Sequence, residues 1–235
     1  MIFSQKRLRR MAPHPRVDDG FDGVAPFYDA LSRLVFGNSL RNAQAHWLHQ
    51  VPEGAAILVF GGGTGWLLSR ILTDCKPRKV IYIDASPVMI SLSRKKVNND
   101  SRVDFRVGTQ TALLANDRVD ILFTPFILDL FTDNQLKNSL LPHLLPCLVT
   151  NGFWFCCDFV EPTRWWHRLL LWSQYRFFRT LSHIQADHLP NWLPLLNSLS
   201  NLRLGEIRSF YGGMVASGFW QKVASPENDR IRPDQ

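Results

Sequence analysis

The sequence has little cysteine, and no spacing of cysteines that would build a disulfide framework or a zinc site. Four cysteines occur in 235 residues, with Cys156 and Cys157 adjacent and Cys75 and Cys147 isolated. The seven histidines form no cluster with metal-ligand spacing. We therefore expect a protein of the reducing cytoplasm that binds no metal ion.

The sequence also lacks a long apolar run. No segment reaches the roughly 18 consecutive apolar residues of a membrane span. Residues 1–23 are rich in Arg, Pro and Gly, and no apolar stretch follows the basic cluster as it would in a signal peptide. We expect residues 1–23 to be a mobile basic arm and residues 226–235 a polar tail.

The remaining composition is that of a globular protein. Hydrophobic residues make up 46% and charged residues 20% of the chain, which excludes disorder and coiled coil for the whole chain. Short apolar runs alternate with helical patterns from residue 55 to about residue 160. This order predicts an α/β, Rossmann-like, doubly wound and mostly parallel seven-stranded sheet within a single domain, residues 24–225. Leu202–Phe210 and Met214–Val223 should form an antiparallel C-terminal hairpin.

The first predicted strand, Ala55–Phe60, runs into a glycine-rich loop and then a helix. Glycines in such a turn let the backbone approach a ligand closely, and the helix start presents free N–H groups. Asp84 ends the next predicted strand, where a carboxylate can accept both hydroxyls of a ribose. Trp66 replaces the third glycine of a dinucleotide fingerprint, and no GK[ST] follows, so a P-loop is excluded.

The Gly61-x-Gly63-x-Gly65 pattern resembles motif I of class I S-adenosylmethionine-dependent methyltransferases. Other segments sit where later motifs of that family fall: Val80–Met89, Phe105–Gly108, Val119–Phe123 and the Asn151-Gly152 turn before a strand. The segment Val24–Arg33 is similar to the N-terminal part of the ubiquinone/menaquinone-biosynthesis methyltransferases. The resemblance covers about 200 residues.

This resemblance implies S-adenosyl-L-methionine as the cofactor. Carried over residue by residue, it implies the following cofactor-binding positions: Tyr28, Gly61, Gly62, Gly63, Thr64, Gly65, Asp84, Ala85, Met89, Thr109, Gln110 and Thr124. The sequence departs from the family pattern at Val59, where an acid usually helps to hold the methionine ammonium group. It also has Thr109, then Gln110, where an Asp often meets the adenine amino group.

The residues beyond the carboxyl ends of the strands should face the methyl acceptor. Asp129 follows the predicted strand Val119–Phe123 and is the candidate catalytic base or substrate hydrogen-bond partner, unless it is only a charge at a helix start. Asp158 lies within a strand and should be a structural partner. Residues 163–182 should form an aromatic, arginine-rich amphipathic helix within an acceptor-side insertion, residues 163–195. That helix could cap an apolar pocket, lie on an anionic membrane or bind a phosphate chain.

The sequence therefore predicts methyl transfer to a small apolar or aromatic acceptor of quinone-like or lipid-like type. A nucleic-acid methyltransferase is an alternative that the basic charge supports. However, Thr124-Pro-Phe-Ile127 stands where an Asn-Pro-Pro-Tyr type motif would be sought. A non-catalytic binding protein with a methyltransferase-like fold is the other alternative, which Val59 and Thr109 suggest.

Overall fold

The short apolar runs of the sequence form the strands of one sheet. The computed structural model describes residues 32–162, 164–170 and 189–224. Its strands are β1 (Ala56–Phe60), β2 (Lys79–Asp84), β3 (Val103–Val107), β4 (Val119–Pro125), β5 (Leu148–Phe159), β6 (Leu202–Phe210) and β7 (Val215–Lys222).

The strand order is β3-β2-β1-β4-β5-β7-β6. Strands β1 to β5 pair in parallel, with Leu58 opposite Ile81 of β2 and Leu122 of β4. β7 pairs antiparallel with both β5 and β6. The predicted seven-stranded, mostly parallel sheet with an antiparallel hairpin is confirmed. The carboxyl ends of β1 to β5 consequently meet at one edge, which we call the carboxyl edge.

Short helices connect the strands. They are α1 (Ser39–Ala45), α2 (Trp66–Asp74), α3 (Pro87–Lys96), α4 (Asp133–Gln135), α5 (Leu141–Cys147) and α6 (Trp192–Asn197). A π-helical turn, Leu136–Leu140, joins α4 to α5, and residues 32–36 and 165–170 are also helical. α3 begins as its sequence predicts, since Ser86 Oγ accepts the Met89 N–H and Pro87 occupies the first helical position.

Alternate residues of the strands enter different parts of the core. Leu58 and Ile81 belong to a cluster that also contains the buried Trp154 and Trp220. Their strand neighbours, such as Tyr82, pack into a second cluster with α2. Because successive side chains of a strand point to opposite faces, the two clusters lie on the two faces of the sheet.

The Asn151-Gly152 pair does not form the turn that the sequence predicts. β5 begins earlier, at Leu148, and both residues lie inside it as a bulge, with Asn151 at φ 67°. The β4–β5 register shifts there, and a Cβ on Gly152 would lie 2.7 Å from the Asp120 carbonyl oxygen. Glycine is required at position 152 because the backbone of β4 approaches closely there, and not because the chain reverses direction.

Several predicted features lie outside the described residues: the basic arm, Tyr28, most of the 163–182 helix and the polar tail. The domain boundaries thus stay predictions. In the described part of the chain, no helix is both long and apolar enough to cross a bilayer.

Candidate functional site

The glycine loop after β1 turns through backbone angles that other residues rarely adopt. Gly61, Gly63 and Gly65 have φ values of 73°, 63° and 81°. Gly61 N donates to the Ile83 carbonyl at the end of β2 (2.8 Å), which ties the start of the loop to the neighbouring strand. Gly65 is the residue that precedes α2, so the loop ends directly at a helix start.

The glycines differ in what surrounds them. A Cβ on Gly62 would lie 2.3 Å from the Tyr82 ring, and one on Gly65 would lie 2.6 Å from Ser93. These two glycines allow close packing within the protein. A Cβ on Gly63 would meet no heavy atom within 4 Å. Gly63 therefore presents the open face of the loop, where a ligand can approach the backbone.

Asp84 holds the open part of the loop in place. Its Oδ2 accepts the Gly63 N–H (2.8 Å), and its Oδ1 accepts the Ser86 N–H (3.0 Å). Tyr82 Oη donates to the Gly63 carbonyl (2.9 Å) from below the loop. A carboxylate offers about four acceptor positions, so Asp84 can also accept hydroxyl groups from a ligand. The loop and the acid that the sequence paired are in direct contact.

The other predicted residues of β2, β3 and α3 surround this contact. Gly108 N donates to the Asp84 carbonyl (2.9 Å), which places Thr109 and Gln110 beside the end of β2. Gln110 Nε2 donates to Ser139 Oγ (2.8 Å), so its amide is directed toward the π-helical turn. Ala85 is half-buried next to Asp84. Thr64 and Met89 are buried, at 8% and 4% exposure, and present little surface to a ligand.

Thr124 is not brought into this cluster. Its side chain is fully buried in β4, and its Oγ1 accepts the Trp154 Nε1–H from β5 (2.8 Å). The Thr124 hydroxyl accepts the hydrogen bond of a buried indole, which indicates a structural role, and the cofactor contact expected from the resemblance stays a prediction.

The loop after β4 supplies contacts that sequence reasoning missed. A Cβ on Gly61 would lie 2.6 Å from Ile127 Cγ1, so Ile127 covers the start of the glycine loop. Phe126 has φ 51°, a strained angle for a bulky residue, and its N–H donates to the Cys157 carbonyl (2.8 Å). Such strain often accompanies functional sites. Because β4 lies beside β1 in this fold, the loop after β4 is expected near the glycine loop. No spacing in the sequence identifies which residue of that loop makes the contact.

Asp158 at the end of β5 fixes the turn that carries Asp129. Asp158 is fully buried, and its Oδ2 accepts the N–H groups of Leu128 (2.8 Å) and Asp129 (3.3 Å). Its Oδ1 accepts the Phe159 N–H (2.7 Å). Asp158 thus has the structural role that its strand position indicates, and it holds Asp129 at the carboxyl edge.

The two carboxyl groups influence each other's ionisation. Burial raises the pKa of Asp129 to about 7. Burial, and next the Asp129 charge, raise the pKa of Asp158 well above its usual value, although three N–H groups favour its ionised form. The pair therefore retains a proton up to neutral pH. A carboxyl with a pKa near 7 can accept and release a proton under cellular conditions.

An aromatic layer lies beside these carboxyls at the carboxyl edge. The Phe126 and Phe159 rings are 5.3 Å apart, and Phe36 is 5.7 Å from Phe159 and 5.0 Å from Tyr211. These residues belong to a third apolar cluster, which is separate from the two cores of the sheet. The site is thus polar at β1 and β2 and aromatic at β5 and β7. Within the described ranges, no group of three or more potential metal ligands occurs.

The strand order and reversed last strand define a Rossmann-like methyltransferase fold, and solved methyltransferase structures share it. A chain of the Haloferax volcanii complex between the Trm112 methyltransferase activator and a methyltransferase aligns with a TM-score of 0.68, at 16% identity, over 88% of this chain and 98% of that chain. The DhpI–SAH complex aligns with a TM-score of 0.64, at 14% identity, over 86% of this chain and 93% of that chain.

A third solved structure is the Burkholderia thailandensis 1,6-didemethyltoxoflavin-N1-methyltransferase, with 1,6-didemethyltoxoflavin and S-adenosylhomocysteine bound. It aligns with a TM-score of 0.61, at 16% identity, over 87% of both chains. Residues 57–152 of this chain match the family model described as a methyltransferase domain. The match spans the glycine loop, Asp84 and Asp129. A search of curated protein sequences finds no match.

Proposed function

We propose that the protein transfers a methyl group from S-adenosyl-L-methionine to a small apolar or aromatic acceptor. The observation that carries this proposal is the Gly63 N–Asp84 Oδ2 contact, which presents an open backbone face beside a ribose-binding acid. The methyltransferase-domain match covers both residues. Two neighbours of the same fold contain S-adenosylhomocysteine, the demethylated form of the cofactor.

The residues present fit this cofactor. Gly63 leaves room for it, Asp84 accepts the ribose hydroxyls, and Thr109 lies next to Asp84 for the adenine. Val59 is fully buried in β1 and cannot reach the methionine ammonium group, so carbonyl groups of the glycine loop replace the usual acid. When bound, S-adenosylmethionine supplies an electrophilic methyl carbon on a sulfonium.

The chain's own residues position the acceptor and take its proton. Asp129 accepts the proton of an acceptor hydroxyl or amine, and Asp158 holds the Asp129 backbone in place. Phe126, which is half-buried at the carboxyl edge, contacts the apolar body of the acceptor, and the buried Phe159 packs behind it. An aromatic layer suits a quinone-like ring, because aromatic side chains offer the ring apolar contacts.

A binding protein without catalytic activity is the second candidate, which the buried Val59 favours. We also place the protein in the cytoplasm, with contact to an anionic membrane where an apolar acceptor would reside. These features belong to the same proposal.

The test is release of S-adenosylhomocysteine from the full-length chain with a panel of short-tailed hydroquinones, flavin-like heterocycles and, separately, transfer RNA. We expect turnover with an apolar hydroxy-aromatic compound that Asp129→Asn lowers at least tenfold. Cofactor binding without turnover on any acceptor would favour the binding protein. Turnover on transfer RNA alone would contradict the small-molecule proposal.

A further inference from the structure

Two helical segments that contact Tyr211 expose an unusual amount of apolar surface. In residues 32–36, Leu34 is 83% exposed, and in residues 165–170, Trp165 and Leu169 are 77% and 58% exposed. Half of the large hydrophobic side chains that are exposed in the described residues lie on these two helices, Trp166 being the fourth. Single exposed leucines are ordinary, but this concentration is not.

Both helical segments contact Tyr211, near the carboxyl edge. Tyr211 Oη donates to the Val35 carbonyl (3.0 Å), and the Tyr211 ring lies 5.7 Å from the His167 ring. Tyr211 precedes β7, whose first residue, Val215, pairs with Phe159 at the end of β5. Phe36 and His167 lie on the buried sides of their helical segments. Because Phe36 and Tyr211 belong to the aromatic layer, the two segments pack against this layer with their buried sides, and their exposed sides face away from it.

The same exposed sides carry positive charge. Arg33, Arg164 and Arg168 are exposed, and neither helical segment contains an acid. Arg168 Nε donates to the Pro162 carbonyl (3.2 Å), which leaves the charge itself at the surface. The acid nearest to Arg164 in the chain is Glu161, which is also exposed. The net charge of +7 adds long-range attraction to any anionic surface.

We infer that these two segments form a docking surface for an anionic lipid bilayer, on the outer side of the aromatic layer. We call it the rim, and its residues are Arg33, Leu34, Arg164, Trp165, Arg168 and Leu169. Tryptophan and leucine side chains insert at the boundary between headgroups and acyl chains, while arginines contact anionic headgroups. Exposed leucines have no such partner on a nucleic acid, so the apolar half of the rim favours lipid.

The rim deepens the membrane contact named in the proposed function, but lipid binding requires no methyl transfer, so the two can fail separately.

Flotation of the full chain with vesicles tests the rim. We expect binding to vesicles of equal parts phosphatidylglycerol and phosphatidylcholine, and none to phosphatidylcholine alone. Binding should weaken steeply at about 0.5 M salt, where the Debye length falls to roughly 4 Å. Leu34→Ser combined with Trp165→Ser should weaken binding at least tenfold. Arg164→Glu should weaken it about fivefold or more, from the attraction of one arginine to an anionic surface.

Matched controls remove similar groups elsewhere. Leu114→Ser combined with Leu204→Ser changes two exposed leucines away from the rim, and Arg203→Glu changes one exposed arginine at the start of β6. These controls should float like the wild type. Absence of flotation of the wild-type chain, or equal flotation of rim variants and controls, would overturn the inference. So would rim-dependent binding of a poly(U) oligonucleotide without flotation.

Calorimetric titration of the same samples with S-adenosylhomocysteine separates this inference from the proposed function. Cofactor binding without flotation would contradict lipid docking at the rim and leave the proposed function intact. Flotation without cofactor binding would contradict the proposed methyltransferase function and leave lipid docking at the rim intact.

Discussion

Replacement of Gly63 by alanine distinguishes two effects: backbone strain, which lowers Tm, and contact with the ligand, which lowers cofactor affinity. Gly63 has φ 63°, and a Cβ there would meet nothing within 4 Å. The added methyl group thus causes no clash in the free protein. The left-handed conformation costs an alanine about 1–2 kcal/mol. For a chain of this length, that cost lowers Tm by roughly 2–8 °C.

Gly54 provides the matched control. It has φ 75°, and a Cβ there would also meet nothing within 4 Å. It precedes β1, whereas Gly63 follows β1, so it lies at the opposite edge of the sheet. Gly54→Ala should cause the same loss of Tm as Gly63→Ala. Only Gly63→Ala should place a methyl group where the cofactor approaches.

The assay is thermal unfolding together with calorimetric titration of S-adenosylhomocysteine. We expect similar Tm values for both variants, and an affinity loss of at least tenfold, or about 1.4 kcal/mol, for Gly63→Ala alone. If Gly63→Ala binds as tightly as Gly54→Ala, the open face of the loop is not the cofactor surface and the reasoning fails.

Three further changes test the neighbouring side chains. Asp84→Asn should weaken cofactor affinity at least tenfold by calorimetry, because each hydrogen bond to a charged group contributes about 1.5–3 kcal/mol; unchanged affinity would remove Asp84 from the ribose site. Thr124→Val should leave cofactor affinity intact but lower the free energy of unfolding by about 1–3 kcal/mol, since the Trp154 indole loses its buried acceptor. A loss of affinity instead would support the cofactor contact that the resemblance implies for Thr124. Asp129→Asn should lower turnover and stabilise the fold at pH 8 by on the order of 2 kcal/mol, with little gain at pH 4, as urea unfolding at the two pH values would show. Equal gains at both pH values would contradict this prediction.

The sign of the Asp129 effect follows from its pKa. Burial raises the pKa of the folded carboxyl from 3.8 to about 7, so the unfolded chain loses this proton first as the pH rises. The folded state is therefore destabilised progressively between about pH 4 and pH 7. Asparagine removes that penalty. A stabilising change that lowers turnover is expected where a buried acid is retained for activity.

The sequence alone predicted the parts of the site that depend on strand order. Asp84 ends β2, as predicted, and parallel strands bring Gly63 and Asp84 to one edge although they lie 21 positions apart in the sequence. Both residues follow from local signals: a glycine turn between a strand and a helix, and an acid that ends an apolar run.

The remaining contacts depend on packing that no spacing encodes. Trp154 Nε1 of β5 donates a hydrogen bond to Thr124 Oγ1 of the neighbouring strand β4. Ile127, in the loop after β4, packs against Gly61. Asp158 was placed correctly as a structural residue, but its hydrogen bond to the Asp129 N–H depends on the bulge that sets the β4–β5 register. A shift of one residue would have directed its side chain to the other face.

Titration of the wild-type chain with S-adenosyl-L-methionine in a calorimeter tests the central claim most directly. We predict saturable binding at one site per chain, competed by S-adenosylhomocysteine and not by NAD or ATP. The glycine loop has neither the third glycine of the dinucleotide fingerprint nor a P-loop lysine. Absence of saturable heat with S-adenosyl-L-methionine, from a protein that unfolds cooperatively, would contradict the account.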